Sequence, residues 1–133
     1  CIGRGKSRNR IATLLFQSPR KPLDVLKNLV ALYDTGRREP LPLPLKTSCA
    51  WAEARRDDDD PVAAAQDKWK TTSFHAGEND EAAHSRVWGR NAPLEKLLGA
   101  PRPGEEVSGE DTRLGALAMR LWLPLLTDER SAW

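Results

Sequence analysis

Three prolines spaced two residues apart place the strongest constraint on what this 133-residue chain folds into. They alternate with leucines in residues 39–45, which read Glu-Pro-Leu-Pro-Leu-Pro-Leu. Proline lacks an N–H and has a fixed φ, so this segment excludes a helix and loses every second donor of a β ladder. We expect an extended edge segment whose leucines, Leu41, Leu43 and Leu45, project from one side and lie along a groove. A stiff linker is the alternative.

A strand and a helix are predicted before the prolines. The apolar run Ile11–Phe16 is typical of a short buried strand. Pro22 then begins a helix in which apolar residues recur at helical spacing until Gly36. Val25 and Leu32 widen its apolar face, so we expect this helix to pack against a sheet or between two layers. Residues 11–46 thus form a strand, a helix and an extended segment.

The rest of the chain, residues 47–133, is predicted to be helical. Thr47 or Ser48 is a good N-cap for a short helix over Cys49–Arg56. Asp60 caps a further helix that begins at Pro61 and ends near Thr71. The apolar face of that helix is formed by Val62, Ala65 and Trp69.

Two loops and two more helices complete this part. We expect loops over residues 74–90, anchored by Val87 and Trp88, and over residues 100–111, which we expect to be the most mobile part. Between them lies a short helix over Pro93–Leu98, with Asn91 as a cap and Gly99 as its stop. The last helix begins at Glu110 or Asp111. It places Arg113 and Arg120 on its solvent side, and Pro124 kinks or ends it.

Charge is unevenly distributed, although the net charge is only +2. Residues 1–46 contain ten cations and three carboxylates, whereas residues 47–133 contain eleven and sixteen. Residues 1–10 form a basic lead-in that either contacts phosphate or is a solvated approach to the strand. The candidate DNA contacts in this half are Arg4, Lys6, Arg8, Arg10, Arg37, Arg38 and Lys46.

No catalytic or metal site is predicted. The sequence lacks a complete glycine-rich phosphate loop and a nucleophile elbow, and no lysine has an acid two residues before it, as a restriction-type nuclease requires. The contiguous run Asp57–Asp60 repels itself, so we interpret Asp60 as a helix cap rather than a metal ligand. His75 and His84 lie among acidic residues without the spacing typical of metal ligands.

Other features bound the class of protein. No apolar run approaches the roughly 20 residues of a membrane-spanning helix. Two cysteines without regular spacing indicate neither a disulfide framework nor a metal site, which favours a reducing, cytoplasmic compartment. The chain begins at Cys1 and its one methionine is Met119, so we expect it to be a piece of a longer protein.

A long block of sequence carries a family resemblance. Residues 29–51, read as Leu-Val-Ala-Leu-Tyr-Asp-Thr-Gly-Arg-Arg-Glu-Pro-Leu-Pro-Leu-Pro-Leu-Lys-Thr-Ser-Cys-Ala-Trp, resemble the C-terminal region of the RecC family, the gamma subunits of exodeoxyribonuclease V. Later features agree in order: Asp60-Pro61 with Trp69, then residues 86–89, then residues 120–126. The resemblance extends from about Ile11 onward, and the composition is similar to that of actinobacterial proteins.

The resemblance implies both a fold and a role. The fold class is α/β (α+β, helix-rich), with residues 1–133 forming the C-terminal part of a PD-(D/E)XK nuclease-like domain that lacks catalytic residues. The implied role is a non-catalytic scaffold in an ATP-dependent helicase-nuclease that processes DNA ends for double-strand-break repair and recombination. The implied partners are a RecB-like beta subunit, a RecD-like alpha subunit and DNA through the complex. Mg and ATP are used by the partner subunits, and no cofactor is implied for this chain.

More apolar faces are predicted than one small domain can bury, which indicates a protein partner. The candidate interface consists of Tyr33, Leu41, Leu43, Leu45, Trp51, Trp69 and Trp122. Two alternatives remain at this point. The chain is a DNA-contacting module that uses the basic half, or an active nuclease that uses Asp57–Asp60 with Mg²⁺.

Overall fold

The computed structural model describes residues 2–4, 11–16, 21–127 and 129–132. Helices dominate the described part, and three short strands accompany them. In chain order the elements are β1 (Ile2–Arg4), β2 (Ile11–Phe16), α1 (Pro22–Arg38), α2 (Leu45–Arg56), α3 (Pro61–Trp69), a first 3₁₀ turn (Glu78–Asp80), α4 (Ala82–Trp88), a second 3₁₀ turn (Leu94–Leu97), α5 (Arg113–Thr127) and β3 (Glu129–Ala132). None of the described helices is long and apolar enough to cross a membrane.

The strands form one antiparallel sheet in the order β1-β2-β3. Thr13 of β2 pairs with Ile2 on one side and with Ala132 on the other, so the sheet joins the two ends of the chain. The predicted strand over Ile11–Phe16 is confirmed with the same bounds. The chain is thus a helix-rich α+β structure.

The core lies where α2, α3 and α5 meet. Trp51 and Trp69 are fully buried there against Leu114, Ala65 and Ala118. Each indole N–H has an acceptor: Trp51 donates to the Glu110 carboxylate at 3.1 Å, and Trp69 donates to a backbone carbonyl at 2.7 Å. Small alanines let the helices approach closely enough to enclose these rings.

Helix α3 follows its prediction closely. The Asp60 side chain accepts hydrogen bonds from the N–H groups of Val62 and Ala63, which confirms it as the N-cap. Ala65 and Trp69 are buried as expected. Val62 is exposed, so its assignment to the apolar face is wrong: it belongs to the first turn, which lies outside the core.

Helix α2 begins four residues earlier than predicted and has an unusual cap. Pro44 occupies its N-cap position and offers no side-chain acceptor. The buried Glu78 carboxylate accepts hydrogen bonds from the N–H groups of Lys46 and Thr47, at 2.8 and 2.7 Å. Thr47 and Ser48 are therefore not caps. They are buried inside the helix, because a distant side chain satisfies its first turn.

The proline segment does not present a strip of leucines. Pro42 and Pro44 are fully buried, Leu41 and Leu43 are half-buried, and Leu45 is 65% exposed on α2. The N–H of Leu43 donates to the carbonyl of Leu41 at 2.8 Å, which makes a tight turn around Pro42. This turn breaks the two-residue alternation of an extended chain, so the predicted strip is wrong.

The predicted loop over residues 74–90 is also wrong in part, because it contains the first 3₁₀ turn and α4. None of the residues of α4 is buried, so the sequence lacks the apolar periodicity that predicts a helix. Trp88 packs against the core as the expected anchor, whereas Val87 is exposed. Gly77 lies so close to the end of α3 that an added Cβ would be 2.3 Å from the Trp69 carbonyl oxygen.

The second 3₁₀ turn, Leu94–Leu97, stands where a short helix was predicted. It begins after Pro93, so Asn91 is not its cap. Residues 100–111 are irregular as expected, apart from one isolated bridge between Val107 and Glu110.

Helix α5 runs through Pro124 and ends at Thr127, so of the two predicted effects of this proline, the end of the helix is wrong. The Thr112 hydroxyl accepts a hydrogen bond from the N–H of Gly115 at 3.1 Å. Arg113 is buried rather than on the solvent side, because it makes two hydrogen bonds to Glu105 at 2.8 and 2.9 Å. This bidentate pair raises the pKa of Arg113 and lowers that of Glu105.

Candidate docking surface

Helix α1 contacts the body, by which we mean the packed helices α2, α3 and α5, along one narrow strip. Leu32 is the only residue of α1 that is buried in the described part of the chain. Asn28 and Arg120 of α5 exchange two hydrogen bonds, one from the Asn28 amide to the Arg120 carbonyl (2.7 Å) and one from the guanidinium to the Asn28 oxygen (2.8 Å). At the end of α1, Glu39 forms ion pairs with Arg102 and Arg113. These contacts fix which side of α1 points away from the body.

The outward side of α1 is apolar, and we call it the α1 face. Its members lie at helical spacing on one stripe, and each is 57 to 68% exposed: Leu23, Leu26, Val30 and Tyr33. Leu29 borders the stripe and is less exposed. The Arg37 guanidinium lies 5.9 Å from the centre of the Tyr33 ring, a cation–π contact that extends the stripe to the end of the helix.

An apolar cavity of about 320 Å³ lies between the start of α1 and the end of α5. Val25, Met119, Leu123 and Pro124 contribute to its lining. Because Leu123 and Leu125 are themselves exposed, α5 adds apolar surface at the end of the molecule where α1 begins. Large exposed apolar surface marks protein contacts, so this end of the molecule is a second candidate contact.

The predicted interface residues fall into two groups. Tyr33 and Leu45 are exposed, and Leu41, Leu43 and Trp122 are half-buried. Trp51 and Trp69 are core residues, so their assignment to an interface is wrong: both rings fill the space between the helices of this chain. Trp122 donates its indole N–H to the Ser48 hydroxyl at 2.9 Å, which ties it to α2.

The predicted DNA contacts do not form one described patch. Lys6, Arg8 and Arg10 lie outside the described residues, and Arg4 is described only as part of β1. Arg37 and Arg38 are exposed in the last turn of α1. Lys46 is also exposed, and its ammonium lies 3.9 Å from Glu81.

Among the described residues, one grouping of acidic side chains with a histidine is close in space, although its spacing in the sequence argued against a metal site. Ligand atoms of Glu78, Glu81 and His84 lie within 4.8 Å of one another, at successive three-residue intervals. Both oxygens of Glu78 already accept hydrogen bonds from α2, and Glu81 faces Lys46. The group therefore serves as a helix cap and a charge pair.

Sequence reasoning recognised that the apolar face of α1 was wide, but it did not assign Leu23, Leu26 or Val30 to an interface. The width of the apolar face of α1 was the signal that indicated a second contact surface. A helix with apolar residues on more than one side requires two separate coverings, whereas α5 covers only the side that carries Leu32.

Comparisons with known proteins identify one family model and several relatives that are similar to this chain. A family model described as the RecC C-terminal domain matches residues 9–56, a range that includes β2, α1 and α2. The RecBCD enzyme subunit RecC of Mycobacterium tuberculosis (strain CDC 1551 / Oshkosh) is 64% identical over 131 residues, which are 98% of this chain. The same subunit of Mycolicibacterium smegmatis is 52% identical over 130 residues, again 98% of this chain.

The chain spans 12% of the length of each of these curated relatives. No solved structure matches it. The relatives are mycobacterial, in agreement with the actinobacterial character expected from the composition. At this identity over nearly the whole chain, together with the match to the C-terminal family model, the chain belongs to the RecC family.

Proposed function

We propose that this chain is a non-catalytic scaffold and subunit-docking module of a RecC subunit. The complete subunit would act within exodeoxyribonuclease V, an ATP-dependent helicase-nuclease that processes DNA ends in the cytoplasm for double-strand-break repair and recombination. The proposal is supported by the relatives, each named as a subunit of the RecBCD enzyme. RecB-like and RecD-like subunits are the proposed partners, and they would use the Mg and ATP.

The observation that carries the docking role is the uncovered α1 face. Leu23, Leu26, Val30 and Tyr33 form an apolar stripe whose exposure in an isolated subunit would be costly, since burying one such side chain contributes about 1.5–3 kcal/mol. The apolar cavity between α1 and α5 lies on the other side of α1 and is separate from this stripe. We propose that it contacts the RecD-like alpha subunit or the upstream part of RecC.

The absence of nuclease chemistry from the sequence supports the non-catalytic part of the proposal. No lysine in the chain has Asp or Glu two residues earlier, so the acid-x-Lys half of a restriction-type Mg²⁺ site is missing. The Asp57–Asp60 run has a structural use, since Asp60 caps α3 and Asp57 pairs with Arg56 at 2.8 Å. We propose that the domain retains a nuclease-like fold without its reaction.

Charge insertion on α1 tests the docking role in the full-length subunit. Val30→Glu places a carboxylate on the stripe, whereas Ala31→Glu places the same charge on an exposed position about 100° around the helix. We expect Val30→Glu to weaken association with the partner subunits at least 30-fold, a loss typical of a hot spot of about 2 kcal/mol. Calorimetry and size-exclusion chromatography measure this loss.

The control variant Ala31→Glu is expected to assemble like the wild type. Equal assembly of the two variants would contradict the docking role of the α1 face. If Val30→Glu instead accelerates hydrogen exchange throughout α1 in the isolated RecC subunit, the stripe is covered by the upstream part of RecC itself.

DNA contact is the second candidate function, and it rests on Arg37 and Arg38 at the end of α1. Both are exposed, and each neutralised phosphate contributes about 0.9 to the slope of log affinity against log salt concentration. If this role is correct, changing both arginines to alanine in RecC lowers that slope by about 2. An unchanged slope in duplex binding would exclude it.

A further inference from the structure

Phe74 is the most exposed large apolar side chain in the described part of the chain, at 96%. It does not belong to the α1 face. It lies between α3 and the first 3₁₀ turn, in a short segment that returns the chain toward the core. Single exposed apolar residues are common on proteins, so exposure alone assigns nothing. Two further features distinguish this phenylalanine.

The first feature is the turn that holds it. The Thr72 hydroxyl accepts hydrogen bonds from the N–H groups of Phe74 and His75, and the Thr72 N–H donates to the His75 carbonyl at 2.9 Å. With His75 protonated on Nε2, the ring donates to the Asp67 carbonyl at 3.1 Å and its Nδ1 accepts from the Thr72 hydroxyl. The backbone on both sides of Phe74 is thus fixed, which lowers the entropy lost when the ring binds.

The second feature is the charge of the neighbouring surface. Asp67, which is bonded to His75 through its carbonyl, also lines a cavity of about 260 Å³ between α2 and α3. Alanines form part of its wall, and carboxylates surround it. The lining residues are Ala50, Ala54, Ala64, Glu53, Asp57, Asp59, Asp67 and Lys68. Six carboxylates and three cations lie between residues 53 and 68.

This cavity suits a cationic side chain, because four carboxylates and one ammonium line it. An aliphatic stem would contact the alanine wall while its charged end remains near the carboxylates. The ammonium of Lys68 lies 2.8 Å from Asp67 and lowers the pKa of that carboxyl by a hydrogen bond and by its charge. Phosphate groups, by contrast, would be repelled from this corner of the molecule.

We propose that Phe74 is an aromatic anchor that inserts into an apolar pocket of a protein partner carrying lysine or arginine beside that pocket. Aromatic side chains dominate binding energy when they fill such a pocket, and complementary charge at the rim sets orientation. The carboxylates around the cavity between α2 and α3 favour a protein over a nucleic acid as the partner that contacts Phe74. This surface shares no residue with the α1 face, so the proposal is independent of the docking function argued above.

Photo-crosslinking in the complete, purified complex tests the proposal. Full-length RecC with Phe74→p-benzoylphenylalanine is assembled with its partner subunits and a DNA end, irradiated, and mapped by mass spectrometry. Val62→p-benzoylphenylalanine, at an exposed apolar position on α3, is the matched control. We expect position 74 to crosslink to one protein segment that contains lysine or arginine. Crosslinking mainly to DNA, to an acidic segment, or no more than at position 62 would overturn the proposal.

Hydrogen exchange then measures the contact without a bulky probe. In the assembled complex, Phe74→Ala is expected to accelerate exchange in the crosslinked segment at least tenfold, and Val62→Ala is expected to leave it unchanged. Asp59→Lys, which reverses one charge of the acidic cavity, is expected to accelerate it as well. Unchanged exchange in both Phe74→Ala and Asp59→Lys would show that the anchor is not used.

Discussion

Helix α1 and the body formed by α2, α3 and α5 use apolar residues in opposite ways. The body is rich in alanine and tryptophan, and nearly every apolar residue of α2 and α3 that faces inward is enclosed. Helix α1 carries more large aliphatic residues than α2 and α3 together, yet it buries only Leu32. Apolar content alone therefore does not indicate where a core lies. Burial follows from having neighbouring elements on the same side, and among the described elements α5 is the main neighbour of α1.

The largest effect is expected from a change inside the body. Trp51→Ala removes a fully buried ring and its hydrogen bond to Glu110, and should destabilise the packed helices by about 3–5 kcal/mol. Tyr33→Ala on the α1 face is the matched aromatic change and should leave this stability unaltered. Hydrogen exchange of α2 and α5 in full-length RecC measures both. Equal protection of α2 and α5 from hydrogen exchange in the two variants would show that the body and the α1 face contribute alike to stability.

The next largest effect is expected from glycine substitutions, which compare a tightly packed position with an open one. An alanine Cβ at Gly77 would lie 2.3 to 2.6 Å from backbone atoms of Trp69, Lys70 and Thr71, which cannot move aside as a flexible side chain can. We expect Gly77→Ala to cost about 1–3 kcal/mol, as overpacking does. Gly99→Ala has no atom within 4 Å of its new Cβ and should be nearly neutral. Faster exchange at the end of α3 in the first variant alone would confirm this.

The ion pair between Glu105 and Arg113 predicts a dependence on pH. The hydrogen bond from Arg113 holds the pKa of Glu105 below its ordinary value of 4.5. The carboxylate therefore stabilises the fold fully above pH 4.5, and this contribution is lost as pH falls through the lowered pKa. Glu105→Gln should weaken protection of α5 at neutral pH by about 1–3 kcal/mol, and the difference from wild type should shrink below pH 4.5. Hydrogen exchange corrected for intrinsic rates tests this, and a difference independent of pH would contradict it.

The smallest effect is expected at the exposed cap of α3. Asp60→Ala removes an acceptor for two N–H groups in the first turn and should cost about 1 kcal/mol. Asp59→Ala, in the same acidic run, is the control for lost charge. Protection at the start of α3 should fall only in the first variant. A similar fall in both would assign the effect to charge rather than to capping.

Local signals in the sequence predicted local structure well. Pro22, the Asp60-Pro61 pair and the apolar run Ile11–Phe16 located three elements, because each signal acts within a few residues of the element that it defines. The family was also identified from the sequence, because the block over residues 29–51 is long and specific.

Features that depend on distant residues were missed. Arg113 was expected at the surface, because nothing near it reveals that Glu105 returns to pair with it. The tryptophans proposed for an interface proved to be core, since sequence cannot say which helix covers which ring. Phe74 stood in a segment without periodicity, and no sequence signal separates an exposed phenylalanine from a buried one.

The Glu78 cap has a consequence for the order of folding. Helix α2 begins after a proline and has no side-chain acceptor of its own, so its first N–H groups are satisfied only by a carboxylate 31 or 32 residues later in the chain. That contact requires closure of a loop that contains all of α3. The start of α2 should therefore become protected late in folding, after its tryptophan-bearing middle has docked. In a nascent chain, the first N–H groups of α2 would lack this acceptor until Glu78 has been synthesised.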